Sequence, residues 1–348
     1  MSVEYAIIIK NKTRLETLIE RFNTKAQAKF YIERSGGDFN DYEKEHEIFH
    51  NSLSTVQRNL STVLKNKIVE RSFLPSFIFN DKQVIVTVGQ DGLVANTAKY
   101  AKQTPIVAIN PDQERFDGVL LPFNADNFLG AIDKILLNNY NSKLTSFAEA
   151  KLSDGQRLLA FNDLFIGANS HVSARYQITY NNKTEEQSSS GIIVSTQAGS
   201  TGWLSSIFNM SFGIHKFIEK DNSKKKYAKL KDNQLMFAVR EPFASKKTKV
   251  ETSVGLITSQ SKLIIQSLMP NNGLIFSDGI ETDFLKFNSG AIATIGIADE
   301  KANLVSVWRR KTAGNKCICK SRAGQCNIRY MQASTAVQAR RSIFSFSS

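Results

Sequence analysis

The 348-residue chain carries 45 Lys and Arg against 32 Asp and Glu, a formal net charge of +13, and its residues are 41% hydrophobic. That length suits two domains with enough apolar content for real cores, and no apolar run is long enough to suggest a membrane span. The charge points to nucleic acid only until it is located: nine Lys or Arg and no acid lie from Arg309 onward, so the body is mildly basic.

Residues 3–10 (VEYAIIIK) read as a first buried strand. Residues 13–34 read as one charged amphipathic helix, broken by Gly36-Gly37. A second helix covers about 41–64, with apolar positions Tyr42, Phe49, Leu53, Val56, Leu60 and Val63. It contains His46-Glu47-Ile48-Phe49-His50, which spells the H-E-x-x-H of zinc peptidases. Two His four apart on a helix can share a zinc, with the Glu as base. Yet His46 fills the gap in the apolar stripe, and neither His171 nor His215 falls in a third-ligand motif. We therefore expect no tightly held zinc at His46 and His50, and assign no residue to a metal.

Residues 84–88 are a β-branched run that reads as a buried strand, ending in Gly89-Gln90-Asp91-Gly92 before a helical pattern over 94–102. A strand, a glycine-rich turn and a helix are where α/β proteins hold phosphates, because the backbone can approach closely and free N–H groups face the anion. Asp91 sits at the tip, at the strand's carboxyl end, where open parallel sheets bind ligands. An ordinary turn with a helix-capping Asp is the plainer alternative. A strand over 106–109 then ends in Asn110-Pro111-Asp112, residues 119–122 suggest a further strand, and 127–137 a helix. This alternation argues a parallel sheet with helices outside it.

Near 141–151 the texture changes to short strand-like segments at 158–167, 171–180, 192–195, 234–239, 256–267 and 274–276, the pattern of an antiparallel sandwich. Residues 181–190 read as a polar loop, 219–231 as a Lys-rich solvated loop, and 291–297 as a last apolar run. Asn162-Asp163, inside an apolar strand, needs partners or a ligand. The strand at 192–195 runs into the hydroxyl-rich loop Thr196-Gln197-Ala198-Gly199-Ser200-Thr201-Gly202 and a helix from Trp203. Such a helix start suits a phosphate or a sugar hydroxyl. Cys317, Cys319 and Cys326 lie in the basic tail without a nearby His and do not make a closed zinc site. We expect residues 1–145 to form an α/β nucleotide-binding domain, 146–308 a β-rich substrate-binding domain and 309–348 a disordered basic tail. We also expect a soluble cytoplasmic protein and a homo-oligomer, with neither nucleic acid nor an integral membrane as partner.

Taken in order, these stretches resemble the NAD kinase family, part of the superfamily that includes diacylglycerol and sphingosine kinases. The family's Gly-Gly-Asp-Gly-Thr motif is similar to Gly89-Gln90-Asp91-Gly92-Leu93, its Asn-Glu pair to Asn162-Asp163, and its Thr-Pro-Thr-Gly-Ser-Thr-Ala-Tyr loop to Thr196 through Trp203. Asn110 and Ser277-Asp278-Gly279 also fit, and the run from Asn110 to Gly118 resembles the mitochondrial-type branch and bacterial relatives labelled sugar kinases. The resemblance covers roughly 84–297. Gln90 in place of Gly, Leu93 in place of Thr and Ser190 in place of Asp are departures.

The resemblance implies an α/β domain followed by an all-β sandwich-like domain, and a metal-dependent transfer of the ATP γ-phosphate to a hydroxyl, foremost the 2′-hydroxyl of NAD. It implies ATP and Mg²⁺ as cofactors, with NAD or another hydroxyl-bearing small molecule as partner. Asp91 would be the catalytic base. Gly89, Gly92, Asn110, Asn162, Asp163, Thr196, Gly199, Ser200, Thr201 and Trp203 would form the nucleotide sites. A kinase of the same fold acting on a sugar, polyol or lipid hydroxyl is an alternative. Another, suggested by Gln90 and Leu93, is a nucleotide-binding protein with impaired catalysis. No Walker A sequence is present.

Overall fold

Alternate residues of the first and third strands feed two different cores, and this sets the architecture of the N-terminal half. The computed structural model describes residues 3–219 and 227–307. In chain order its first elements are β1 (Tyr5–Lys10), α1 (Arg14–Phe22), α2 (Lys25–Arg34), α3 (Phe39–Ser61), β2 (Lys65–Glu70), β3 (Gln83–Val88), α4 (Asp91–Tyr100), β4 (Ile106–Ile109) and α5 (Leu129–Leu136). The strands pair in parallel in the order β2-β1-β3-β4. Ile7, Ile9 and Ile85 pack with Leu93, Val94 and Ala98 of α4 on one face. Ala6, Ile8, Val84 and Val86 pack with Leu53, Val56 and Leu60 of α3 and Ile132 of α5 on the other. A sheet apolar on both faces needs helices on both, as in this class of fold.

The second half comprises β5 (Ser142–Leu152), β6 (Arg157–Ala160), β7 (Asp163–Ala168), β8 (Ala174–Tyr180), β9 (Lys183–Ser189), β10 (Ile192–Ser195), α6 (Trp203–Glu219), β11 (Leu235–Val239), β12 (Val254–Ile257), β13 (Leu263–Ser267), β14 (Gly273–Ser277), β15 (Ile280–Lys286) and β16 (Ile292–Val305). One antiparallel sheet runs β12-β11-β10-β7-β14-β15. Its inner side chains, among them Leu164, Ile166, Val194 and Phe237, meet Ala150, Tyr176, Ile178, Ile265 and Ile295 of the facing strands in one buried cluster. This is sheet-on-sheet packing. The facing strands continue the N-terminal sheet, because β16 pairs with β13 and β5 and touches β4 in parallel at Leu304 and Ile106. The expected fold class holds: a helix-flanked parallel sheet, then an antiparallel sandwich.

Several boundaries differ from the sequence reading. Residues 13–34 are two helices, because Asn23 adopts φ 64° and Thr24 caps a new start through its hydroxyl. No strand forms at 119–122; Phe123 makes a lone parallel bridge to Ile109. The polar stretch 181–190 contains strand β9, paired with β8 along its length. The segments 158–167 and 256–267 each divide into two strands. Residues 220–226 of the Lys-rich loop and the whole tail over 309–348 lie outside the described residues. The division between 1–145 and 146–308 falls inside β5, which pairs with β16 from end to end. We propose two units joined by β5 and β16 and not by a free linker. Limited proteolysis should then spare residues 142–152, and rapid cutting there would mean a flexible hinge.

Candidate active site

β3 delivers the chain to Gly89, whose N–H donates to the Ile109 carbonyl oxygen at 3.3 Å. A Cβ on Gly89 would lie 2.9 Å from Leu93 Cδ2, so a side chain there would collide with the turn. Gln90 is the N-cap of α4 but makes no side-chain capping bond. The first N–H groups of a helix lack intrahelical partners. Here that helix start forms one wall of a cleft of about 640 Å³, through Gly89, Gln90, Gly92 and Leu93. Gly92 has open space where a Cβ would stand. The opposite side brings Asn11, Lys12, Thr13 and Arg14 from the end of β1, Arg71 from the turn after β2, and Pro111 and Phe116 after β4.

Three cations thus meet a helix N-terminus, an arrangement that favours an anion. Two of them are already paired. Lys12 lies 2.6 Å from Glu20 and 3.6 Å from Glu70, and Arg14 pairs with Asp41 at 2.8 Å and with Glu45. Arg71 makes no ion pair among the described residues. Nothing in the sequence around Arg71 marks it, since it acts through a cleft that only the parallel sheet assembles.

Asp91 is the first residue of α4, and its carboxylate does not cap the helix. Its oxygens accept the backbone N–H groups of Val119 and Leu120 at 3.1 and 2.8 Å. Asn110 organises the same loop: it is 5% exposed, its Nδ2 donates to the Phe116 carbonyl oxygen at 2.9 Å, and its Oδ1 accepts the Asp112 N–H at 3.0 Å. Gly118 must be glycine, because its φ is 61° and a Cβ would fall 2.7 Å from Asn110 Nδ2. Asn110 therefore shapes the loop that fixes Asp91, and its side-chain amide is committed to that task.

The second cluster forms where β6 passes into β7. Thr196 Oγ1 donates to the Phe161 carbonyl oxygen at 2.6 Å and accepts the Gly199 N–H at 3.2 Å, while Thr196 N–H donates to the Asn162 carbonyl oxygen at 2.9 Å. A Cβ on Gly199 would sit 2.3 Å from that same carbonyl oxygen. The loop from Thr196 to Thr201 is thus clamped on Asn162-Asp163, and only glycine permits the approach. Ser200 Oγ donates to the Gln197 carbonyl oxygen at 2.7 Å, and the Thr201 carbonyl oxygen accepts from Ser205 Oγ at 2.7 Å. Trp203 stacks on Phe165 with ring centroids 5.8 Å apart and carries the Arg240 guanidinium over its ring at 5.5 Å.

Asp163 is the group in this cluster that lacks what it needs. Its Oδ1 is buried without a hydrogen-bond partner among the described residues. Burial pushes its carboxyl up to about 7, with the neighbouring Asp278 adding to the shift and Ser195 opposing it. The native state then holds a proton that the unfolded chain releases near 3.8. Stability from this group is present at low pH and falls as pH rises toward about 7. The Asp163→Asn variant should lack that fall, which urea titrations across this range would show.

A buried network ties the two clusters together. Asp278 accepts the N–H groups of Phe161, Asn162 and Asp163 at 3.0, 2.6 and 3.3 Å. Lys99, on the helix that Asp91 begins, lies 3.8 Å from Asp278 and 3.7 Å from Asp283 and donates to Ser277 Oγ at 2.7 Å. Tyr100 donates to Asp283. Ala198 packs on the same apolar cluster as Leu93 and Phe161.

Curated relatives share this chain's sequence in part. It is 29% identical over 130 residues to an NAD kinase of Chlorobium phaeobacteroides, covering 34% of this chain and 43% of that one. It is 31% identical over 159 residues to an NAD kinase of Finegoldia magna, covering 42% and 57%. It is 24% identical over 159 residues to one of Saccharolobus islandicus, covering 46% and 58%. Over these stretches the chain is similar to NAD kinases. The matched stretches span about half the length of those curated relatives. No family model matches the chain. The fold matches over more of the chain than the sequence does. A yeast NADH kinase complexed with NADH superposes with a TM-score of 0.54 at 13% identity, covering 88% of this chain and 85% of that one. An Archaeoglobus fulgidus NAD kinase in complex with ATP gives 0.50 at 15%, covering 86% and 92%. Within this NAD kinase fold, Leu93 is a core residue, 5% exposed beneath Gly89, and Gln90 is exposed at the cleft.

Proposed function

We propose that this chain is an ATP-dependent NAD(H) kinase, moving the γ-phosphate of ATP to the 2′-hydroxyl of the dinucleotide. The observation that carries the reading is the helix N-terminus at Gly89 to Gly92 opening on a cation-lined cleft, in a chain related to NAD kinases. Phosphoryl transfer depends on positioning and on neutralising charge, with little covalent work for the protein. The 2′-oxygen attacks the γ-phosphorus, the bond to the β–γ bridging oxygen breaks, and ADP leaves. Asp91 takes the hydroxyl proton or orients the hydroxyl. Each Asp91 oxygen accepts a single N–H, so lone pairs stay free for this. Asn162 and Asp163, with Gly199, Ser200, Thr201 and Trp203, bind the dinucleotide, whose hydroxyls would satisfy the unpartnered Asp163 oxygen.

A Mg²⁺ ion is bound by one or two carboxylates together with substrate phosphates. Asp91, with its remaining lone pairs beside the phosphate loop, fits that donor set, and the ion would neutralise phosphate charge. Arg71, which makes no ion pair among the described residues, supplies positive charge in the cleft. Its replacement, Arg71→Ala, should raise the KM for ATP about 10- to 100-fold, the range for a lost charge-assisted hydrogen bond, with folding unchanged. Initial rates against ATP concentration measure this.

A second reading is favoured by the Asp91 geometry itself. A carboxylate held by Val119 and Leu120 serves a loop as well as it serves a substrate, and a binder that has lost turnover would look the same. A panel of NAD, NADH, sugars and lipid alcohols with ATP and magnesium separates these readings. ADP release with NAD or NADH supports the kinase, release with another acceptor alone supports a different substrate class, and binding without release supports the impaired protein.

A further inference from the structure

We propose that Glu16, His46 and His50 form a binding site for a divalent transition-metal ion such as Zn²⁺, which clips α1 to α3 behind the phosphate cleft. The two imidazoles come from the H-E-x-x-H stretch on α3, where a spacing of four puts them on one face with ring centroids 4.3 Å apart. The sequence offers no third ligand near them. The fold supplies it from α1: Glu16, His46 and His50 each present a ligand atom, and all three atoms lie within 4.8 Å of one another. His50 Nε2 is 3.2 Å from Glu16 Oε1. Ligands at zinc bonding distance on a tetrahedron stand about 3.3 Å apart, so small side-chain adjustments close the set.

The surroundings already orient the ligands. His46 Nδ1 meets Thr13 Oγ1 at 2.9 Å, and Phe49 packs edge-on against the His50 ring at 5.4 Å. Glu16 Oε2 accepts the Thr13 N–H at 2.7 Å in the capping box of α1, which leaves Oε1 for an ion. Partners of this kind fix ring orientation in metal sites. Lys10, 3.5 Å from Glu16 Oε1 and with its side chain 19% exposed, is a flexible cation that would have to swing away on binding. Two imidazoles and a carboxylate suit zinc over magnesium or calcium. The expectation of no zinc here rested on His46 packing into an apolar stripe. His46 does face α1, but it meets Thr13, His50 and Glu16 there, so that argument does not hold.

The site shares its supports with the cleft. Thr13 and Phe49, which hold the ligands, also line the cleft wall together with Tyr42 and Glu45. An ion between the helices would stiffen that wall. The inference stands apart from the kinase reading, and its test reads metal and not activity. Full-length protein stripped with a chelator is titrated with Zn²⁺ in competition with a chromophoric indicator, and its thermal midpoint is followed. We expect one equivalent bound and a raised midpoint. Both should be lost in His46→Ala, His50→Ala and Glu16→Gln, the last of which keeps the capping box. Both should persist in C317S/C319S/C326S. No binding, binding indifferent to all three ligand variants, or binding lost with the cysteines would each overturn the site.

Discussion

Asp91→Asn should lower phosphotransfer turnover about a hundredfold or more, the usual scale for losing a general base. The substitution keeps the side chain's shape but removes its charge and one acceptor. In the sequence this residue reads either as a catalytic base or as a helix cap, and the structure replaces the second alternative. Asp91 caps nothing; it holds the backbone N–H groups of Val119 and Leu120. Val119 is exposed and Leu120 half-buried, and Asn keeps one acceptor, so the variant should also lose about 0.5–1.5 kcal/mol of stability, the net worth of one hydrogen bond. A purely loop-holding Asp91 predicts that stability loss with near-normal turnover per folded molecule. Turnover and chemical denaturation measured on the same preparation separate the two roles, and wild-type-like turnover would end the catalytic assignment.

Lys99→Met should cost about 3–5 kcal/mol, the range for removing one member of a buried ion pair. Lys99 is 3% exposed and Asp278 is 2% exposed. Burial pushes the Lys99 ammonium down and the Asp278 carboxyl up, each toward its neutral form, and their mutual contact opposes this. Asp278 has further reason to stay charged, because it accepts three consecutive N–H groups. Without Lys99 that charge has no ion-pair partner among the described residues. Adding Asp278→Asn to Lys99→Met should restore part of the loss, because the stranded charge is gone. The pair also spans the two clusters, so the single variant should loosen Asn162-Asp163 against the Asp91 helix. Urea denaturation of the single and double variants gives the coupling. With Asp278→Asn measured alone as well, a double-variant loss equal to the sum of the two single losses would mean that the residues act independently.

The parts of the fold set by local pattern were legible. The β-branched runs at 3–10 and 84–88 formed β1 and β3 because alternate residues must bury on two faces. The switch to short alternating segments after residue 141 announced the sandwich. The polar strand β9 was not legible, because its sequence KTEEQSS lacks an apolar face. Its buried side chains satisfy one another instead: Tyr176 OH meets Gln187 and Ser189 at 3.1 and 2.7 Å, and Gln187 Nε2 donates to Glu185 at 2.6 Å. The helix break at Asn23-Thr24 hid in a charged stretch whose periodicity runs through it, though Asn before Thr is a stop followed by a start.

At the candidate site, glycines and polar residues in otherwise apolar strands were the signals that singled out Gly89, Gly92, Asn162, Asp163 and Gly199, and the roles proposed for them await test. Sequence could not show that the Thr196 and Asn110 side chains serve the protein's own loops. It could not join Lys99 to Asp278, which lie in different sheets' elements, or bring Glu16 to His50 from another helix.

The most direct test of the central proposal follows the phosphate itself. Full-length protein is given ATP labelled at the γ-position, magnesium, and NAD or NADH, and the nucleotide products are separated. The account predicts label on the 2′-phosphate of NADP(H), formed one-to-one with ADP. Label that goes to inorganic phosphate or to another acceptor, with none on the dinucleotide, would contradict it.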